Sequence, residues 1–462
     1  MPSNQGPRGP HPEGVAVIKE TLLKILRRPY VSSLLAITVI TMGVKVVVAV
    51  KEIAVSYRYG VSDQLDAYLI AFLYASFMVN ILGNSFNLAI VPTYVQVRQE
   101  AGFRAARRLF GNITGWSLVF LLAVCLVLAL LSGNVLPLMG SAFGPQKMAL
   151  TRNLVWVMLP VTLIFSLSAV WGSVLNAHRC FRLVALAPVC VPLSIAALVL
   201  WRGLSWGAYA LAAGTVAGYA AELALLGFRL RRLDISPRPR LGRPDERLRH
   251  IGRQMLPLMV GSLMTTGMVL VDNAMAAMLA PGSVAALNYG YRLAGMIFTL
   301  CASLWIVALP EFSSLVAADR LPEVVRSLRR HFLGIFATGL PLALVLYLLS
   351  EPVVRLFFQR GAFTAADTRV VAQVQAYYVV QIPFYVLNMI MVRLLSAMHR
   401  NHILMISGSL NLCLNVALNL LFIRIWGVAG IALSSSAVTV LSFVLLLVVV
   451  TRGLKKDRGR PS

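Results

Sequence analysis

The chain has 462 residues, of which 58% are hydrophobic and only 13% are charged. A soluble protein of this length carries roughly a quarter charged residues, so a soluble globular domain is excluded. The formal net charge is +25, but the basic residues punctuate apolar runs instead of forming one patch. That placement excludes nucleic acid as a partner and makes anionic membrane lipid the expected counter-charge.

The apolar runs are about 20 residues long, enough to cross ~30 Å of hydrocarbon at ~1.5 Å per residue. They do not alternate polar with apolar, which excludes a membrane β-barrel. The predicted fold is all-α and polytopic, with twelve transmembrane helices arranged as two parallel six-helix lobes around a central cavity. The predicted organisation is a tail with an interfacial helix (1–30), an N-lobe (31–228), a basic linker (229–252), a C-lobe (253–450) and a basic tail (451–462). Within the first segment, GVAVIKETLLKILRRP places Ile18, Leu22 and Ile25 on one helical face among Lys19, Lys24, Arg27 and Arg28. That pattern predicts a helix lying on the membrane.

The N-lobe spans are predicted at 31–51, 65–92, 111–132, 153–175, 183–201 and 206–228. Span 1 contains Lys45, roughly 20 Å along the helix from its start. A charge at that depth costs several kcal/mol, so Lys45 either snorkels outward or lines a cavity that receives an anion. Glu52 shares its face seven residues on, and Lys51 lies at the outer rim. Span 2 carries Asn80, Asn84 and Asn87 on one face, either bonding neighbouring helices or forming a hydrated lining for sugar hydroxyls. In span 6, Gly214 and Gly218 predict close helix packing. Glu222 lies near the cytoplasmic end and is expected to reach outward.

The C-lobe spans are predicted at 253–280, 284–309, 331–350, 371–397, 404–423 and 427–450. Asp272 in span 7 is open to two readings: an ion pair with Arg292 or Lys45, or proton uptake that couples transport to an ion gradient; Glu52 is a second ion-coupling candidate. Arg292 in span 8 cannot lose its charge and suits bidentate phosphate contact. Asn273 and Asn388 join the candidate polar lining, and Asn411, Asn415 and Asn419 repeat the asparagine face in span 11. Arg393 is expected to snorkel.

An internal repeat supports the two lobes. His-Arg recurs at 178/179 and 399/400, Trp-Gly at 206/207 and 426/427, and proline at 92 and 310, all offset by about 220 residues. Each unit holds an even number of spans, so both insert in the same direction, as in transporters with a substrate path between the lobes. Lys and Arg concentrate in the connections that share a side with the termini, which predicts cytoplasmic termini. Cys125, Cys180, Cys190, Cys301 and Cys413 lack metal or redox spacing and are expected to pack. No phosphate-binding loop, metal motif or nucleophile elbow is present. The chain is therefore expected to be a transporter without enzymatic activity, cofactor or metal.

The segments VSDQLDAYLIAF (61–72), AIVPTYVQVRQEAG (89–102), VDNAMAAMLAPGSVAALNYGYRL (271–293), RLFFQRGAFTAADT (355–368) and NLCLNVALNLLFIRIWGVAGIAL (411–433) together resemble the MurJ/MviN-type lipid flippases, within the multidrug/oligosaccharidyl-lipid/polysaccharide exporter superfamily. The resemblance implies transfer of an undecaprenyl-diphosphate-linked saccharide to the outer leaflet of a bacterial inner membrane by alternating access. It places the substrate diphosphate on Lys45, Lys51 and Arg292. Candidate partners are the lipid-linked oligosaccharide, anionic lipids, and a glycan polymerase or glycosyltransferases.

The paired arginines and the acidic residue of the family's second helix fall on Met78, Val79 and Gly83, and the arginine after Asp272 is Asn273. The family's two further C-terminal helices have no counterpart before Ser462. These departures point to an exopolysaccharide or other cell-wall precursor. The alternatives are lipid II of peptidoglycan synthesis, a cation-coupled drug exporter, or a non-transporting scaffold for glycan synthesis.

Overall fold

The structure, a computed structural model, describes residues 29–242, 246–305, 321–398 and 400–458. The interfacial helix expected before Pro29 and the repeat anchors Pro310 and His399 lie outside the described residues.

The first bundle comprises α1 (Pro29–Tyr59), α2 (Asp63–Glu100), α3 (Gly102–Met139), α4 (Pro145–Ala177), the short α5 (Phe181–Leu186), α6 (Cys190–Trp206) and α7 (Ala208–Arg232). The second comprises α8 (Glu246–Ala276), α9 (Ser283–Trp305), α10 (Leu321–Leu348), the short α11 (Ser350–Phe358), α12 (Ala365–Val379), α13 (Ile382–Ala397), α14 (Asn401–Trp426) and α15 (Val428–Arg458). Eight of the described helices are long and apolar enough to cross a membrane, and α12 with α13, bent by 42°, make a ninth. Helices α1, α8 and α9 carry Lys45, Asp272 and Arg292.

Packing runs mainly within each bundle. In the first, α2 lies along α4 and α6 along α7; in the second, α14 lies along α15 and α9 along α12. The two meet where α2 touches α8 and α9, α3 touches α8, and α1 touches α11. Outward faces are apolar: Leu130, Leu200, Leu204 and Leu348 are well exposed, at home in hydrocarbon and costly in water.

Local chemistry explains two features. Span 10 was expected to be continuous, but the helix breaks between Val379 and Ile382. Pro383 has no N–H, and its ring would strike the carbonyl four residues back, that of Val379. The Trp-Gly repeat is conformational as well: Gly207 has φ 53°, ψ −136° and Gly427 has φ 56°, ψ −135°. A side chain would strain this backbone, so both copies use glycine to turn sharply into their last helix.

The connection between the bundles is docked. Ile235 is fully buried, the Arg240 N–H donates to the Gly111 carbonyl at 2.9 Å, and Trp116 Nε1 donates to the Gly242 carbonyl at 3.0 Å. A Cβ on Gly115 would lie 2.2 Å from the Arg240 oxygen. Gly115→Ala is therefore expected to lift this strap, at a cost of about 1–3 kcal/mol for the overpacked contact. Faster tryptic cleavage after Arg240 reads it out, and an unchanged rate would show that the strap is held elsewhere.

Candidate functional site

The principal charged cluster joins the bundles. Lys51 and Glu52 are adjacent on α1, and Arg292 comes from α9. Lys51 Nζ donates to Glu52 Oε1 and Arg292 Nη1 donates to Glu52 Oε2. The Glu52 side chain is 2% exposed, Lys51 13% and Arg292 28%. A buried carboxylate with two cations keeps one net positive charge, and unused N–H groups remain on both cations. Lys51, which the sequence put at the outer rim, is thus part of a largely buried ion triad. Lys45 is exposed, two helical turns from Glu52 on the same face.

Asp272 pairs with neither Arg292 nor Lys45. It accepts from Asn419 Nδ2 and Ser435 Oγ, both at 2.8 Å, within the second bundle. Both asparagines of that network, Asn415 and Asn419, are fully buried, so the α14 asparagines bond neighbouring helices instead of lining water. Asn273 donates to the Val269 carbonyl and accepts from Asn288, while Asn388 donates to the Thr439 carbonyl. Neither fits the open lining expected of it. Asn80 is exposed; the side chains of Asn84 and Asn87 lie outside the described residues. Glu222 does not reach outward: it is buried, and its Oε2 has no partner among the described residues. Gly214 and Gly218 do pack closely, against the backbones of Ile195 and Val191.

A second cluster, not singled out from the sequence, clasps the bundles at one end. Asp66 Oδ2 accepts from the Gly282 N–H at 2.8 Å and Oδ1 from the Ala285 N–H at 2.7 Å. An aspartate of α2 thereby caps the first turn of α9, 216 positions away. Lys147 donates to Asp66 Oδ2 at 2.7 Å and to Asp63 Oδ1 at 2.6 Å.

Beside it, the loop after α11 docks on the end of α1, where the Ala362 N–H donates to the Tyr57 carbonyl at 2.8 Å. Two glycines make the approach possible. A Cβ on Gly60 would lie 2.3 Å from the Ala362 oxygen, and one on Gly361 2.3 Å from the Tyr57 oxygen. Thr364 and Asp367 form a capping box that starts α12. VSDQLDAY thus meets the first turn of α9 through Asp66, and QRGAFTAAD meets the end of α1 at Tyr57 and Gly60, contacts that only the fold brings together.

Two helical bundles joined by a docked strap, with a buried net-positive triad and an aspartate clasp between them, define a multi-pass membrane transporter. The chain belongs to the lipid II flippase MurJ family, whose family model matches residues 55–461. It is 26% identical over 439 residues to a probable lipid II flippase of Synechocystis sp., covering 90% of this chain and 81% of that one. It is 26% identical over 364 residues to the lipid II flippase MurJ of Burkholderia cenocepacia, covering 75% and 69%.

The fold matches a solved lipid II flippase MurJ in an inward closed conformation, with TM-score 0.74 and 20% identity over 90% of this chain and 87% of that one. It also matches an inward-facing multidrug resistance MATE family transporter of the MOP superfamily, with TM-score 0.74 and 13% identity over 92% of this chain and 99% of that one.

Proposed function

We propose that the protein carries a saccharide linked to a polyprenyl diphosphate from the inner to the outer leaflet of the bacterial inner membrane, and that the saccharide is that of lipid II. The sequence alone favoured an exopolysaccharide unit, because Met78, Val79, Gly83 and Asn273 stand where the family has charges. The match across residues 55–461 supports lipid II over that reading. In this scheme, residues 31–228 and 253–450 are the rocking lobes, 229–252 tethers them, and the basic connections and both termini face the cytoplasm.

One observation carries the mechanism: Arg292 and Lys51 share the carboxylate of Glu52 across the two lobes. An arriving diphosphate competes with Glu52 for those cations. The substrate thereby replaces an inter-lobe ion pair and loosens the contact that must open, while the cations partly offset the lost hydration of phosphate. Lys45, two turns along, guides the anion toward the triad. The polyprenyl chain stays in lipid. Lipid II, anionic phospholipid and the enzymes that build or polymerise the glycan are the proposed partners.

Leaflet-specific labelling of lipid-linked sugars, in cells depleted of the protein and rescued with variants, tests the reading. Depletion is expected to shrink the outward lipid II pool, and Arg292→Ala to fail in rescue while still being made. An unchanged outward pool on depletion overturns transport. Full rescue by Lys45→Ala/Arg292→Ala overturns the diphosphate role of these residues.

A further inference from the structure

A second basic site lies at the other end of α2 from the clasp. A cavity of about 1160 Å³ opens between the last turns of α2 and the turn after α4. One wall is apolar, formed by Leu88, Val91, Pro92 and Val95; its mouth carries Arg98, His178 and Arg179. An adjoining cavity of about 640 Å³ shares His178 and Arg179 and adds Arg182 and Arg229. Neither lining includes an acidic residue. Among the described residues, none of these four arginines is in an ion pair.

The turn is built to present this charge. Arg179 has φ +60°, a left-handed conformation that a long side chain adopts only when its surroundings impose it. His178 is fixed beside it: Tyr94 Oη lies 2.9 Å from Nε2, and Arg98 Nη1 lies 3.4 Å from Nδ1. Phe103 meets the imidazole edge-on. Burial and then Arg98 push the His178 ring below its ordinary pKa, so the positive charge here belongs to the arginines. Leu88 is 61% exposed on the same wall, an apolar surface leading away from the charged mouth.

We infer that this cavity binds the phosphate group of a membrane lipid, with the arginines on the phosphate and the lipid's hydrocarbon along Leu88, Val91 and Val95. Planar guanidinium groups match phosphate oxygens. A wall of aliphatic side chains beside them suits a hydrocarbon chain, which a free phosphate lacks. The site is separate from the Lys51–Glu52–Arg292 triad and stands whichever saccharide the protein carries. Two lipids offer this chemistry: bulk anionic phospholipid and a polyprenyl diphosphate.

Native mass spectrometry of the purified full-length protein tests it, with phosphatidylglycerol, undecaprenyl diphosphate, phosphatidylcholine and inorganic pyrophosphate as probes. Arg98→Gln and Arg179→Gly are expected to weaken anionic-lipid adducts roughly fivefold each, the usual weight of one basic residue near a lipid surface. Phosphatidylcholine adducts stay unchanged. Arg179→Gly is the decisive variant, because glycine suits φ +60° and removes the charge without straining the turn. Loss for one anionic lipid alone supports the site and names its occupant; loss for both supports it as a general phosphate-lipid site. The inference is overturned if both variants bind as wild type does, or if Arg424→Gln, in the last turn of α14, causes an equal loss. It is also overturned if inorganic pyrophosphate binds as tightly as either lipid.

Discussion

Glu52→Gln is expected to destabilise the folded protein by about 3–5 kcal/mol, the range for removing one partner of a buried ion pair. The carboxylate is almost fully buried between Lys51 and Arg292. Glutamine fills the same volume but leaves two like charges facing each other with no counter-ion. Attraction across the bundles becomes repulsion between the Lys51 and Arg292 side chains. Removing one of the two cations as well relieves part of that cost, so Glu52→Gln/Arg292→Gln is expected to be more stable than Glu52→Gln alone. Thermal unfolding of the purified protein, of Glu52→Gln, of Arg292→Gln and of the double variant gives the comparison. If Glu52→Gln unfolds with the wild type, the carboxylate is not the keystone of the triad. If the double variant is less stable than the single one by the full effect of Arg292→Gln, the two residues act independently.

Much of this architecture was legible because membrane physics leaves few choices. Run length and apolarity give spans, and a repeated Trp-Gly gives two related units. The structure then shows that the repeat preserves a backbone conformation, at Gly207 and Gly427, as well as a residue pair. Helix ends were less legible: α2 continues to Glu100 and α3 starts at Gly102, because helices extend past the hydrocarbon into polar sequence that hydropathy discounts. The break before Pro383 was missed because an apolar run looks the same whether straight or bent.

Site residues divide by the range of their partners. Arg292 and Glu52 were singled out because an intramembrane charge is conspicuous by itself, but that they bind each other depends on how the two bundles meet. Asp272 was equally conspicuous, and its partners Asn419 and Ser435 were not foreseen as a pair with it. They are polar groups 147 and 163 positions away, and nothing local marks them. Lys147 was not singled out, and Asp66 was part of a motif without a role. The role appears only when the first turn of α9 arrives at its carboxylate.

Asp66→Asn is expected to unlatch the bundles at that end, with a loss of about 2–5 kcal/mol for disrupting a buried, hydrogen-bonded charge pair. The amide has nearly the shape of the carboxylate but only one acceptor atom. Asp66 receives Ala285 N–H on one oxygen, and Gly282 N–H with Lys147 Nζ on the other. Whichever way the asparagine turns, its NH₂ faces a donor, and Lys147 loses half its counter-charge. Because these bonds join different bundles, the damage falls on the contact between them more than on either core.

Cross-linking of Tyr57→Cys with Ala362→Cys, in a chain whose own cysteines are replaced, reports that contact. Its rate is expected to fall by about tenfold or more, a shift of roughly 1.4 kcal/mol or beyond. Asp63→Asn supplies the contrast. Its side chain also holds Lys147 but is 54% exposed, and water screens such a pair to about 1 kcal/mol or less. A large effect at Asp66 with a small one at Asp63 assigns the clasp to the cap on α9. Equal effects would assign it to the charge of Lys147 alone, and the capping of one bundle by the other would carry no weight in holding that end closed.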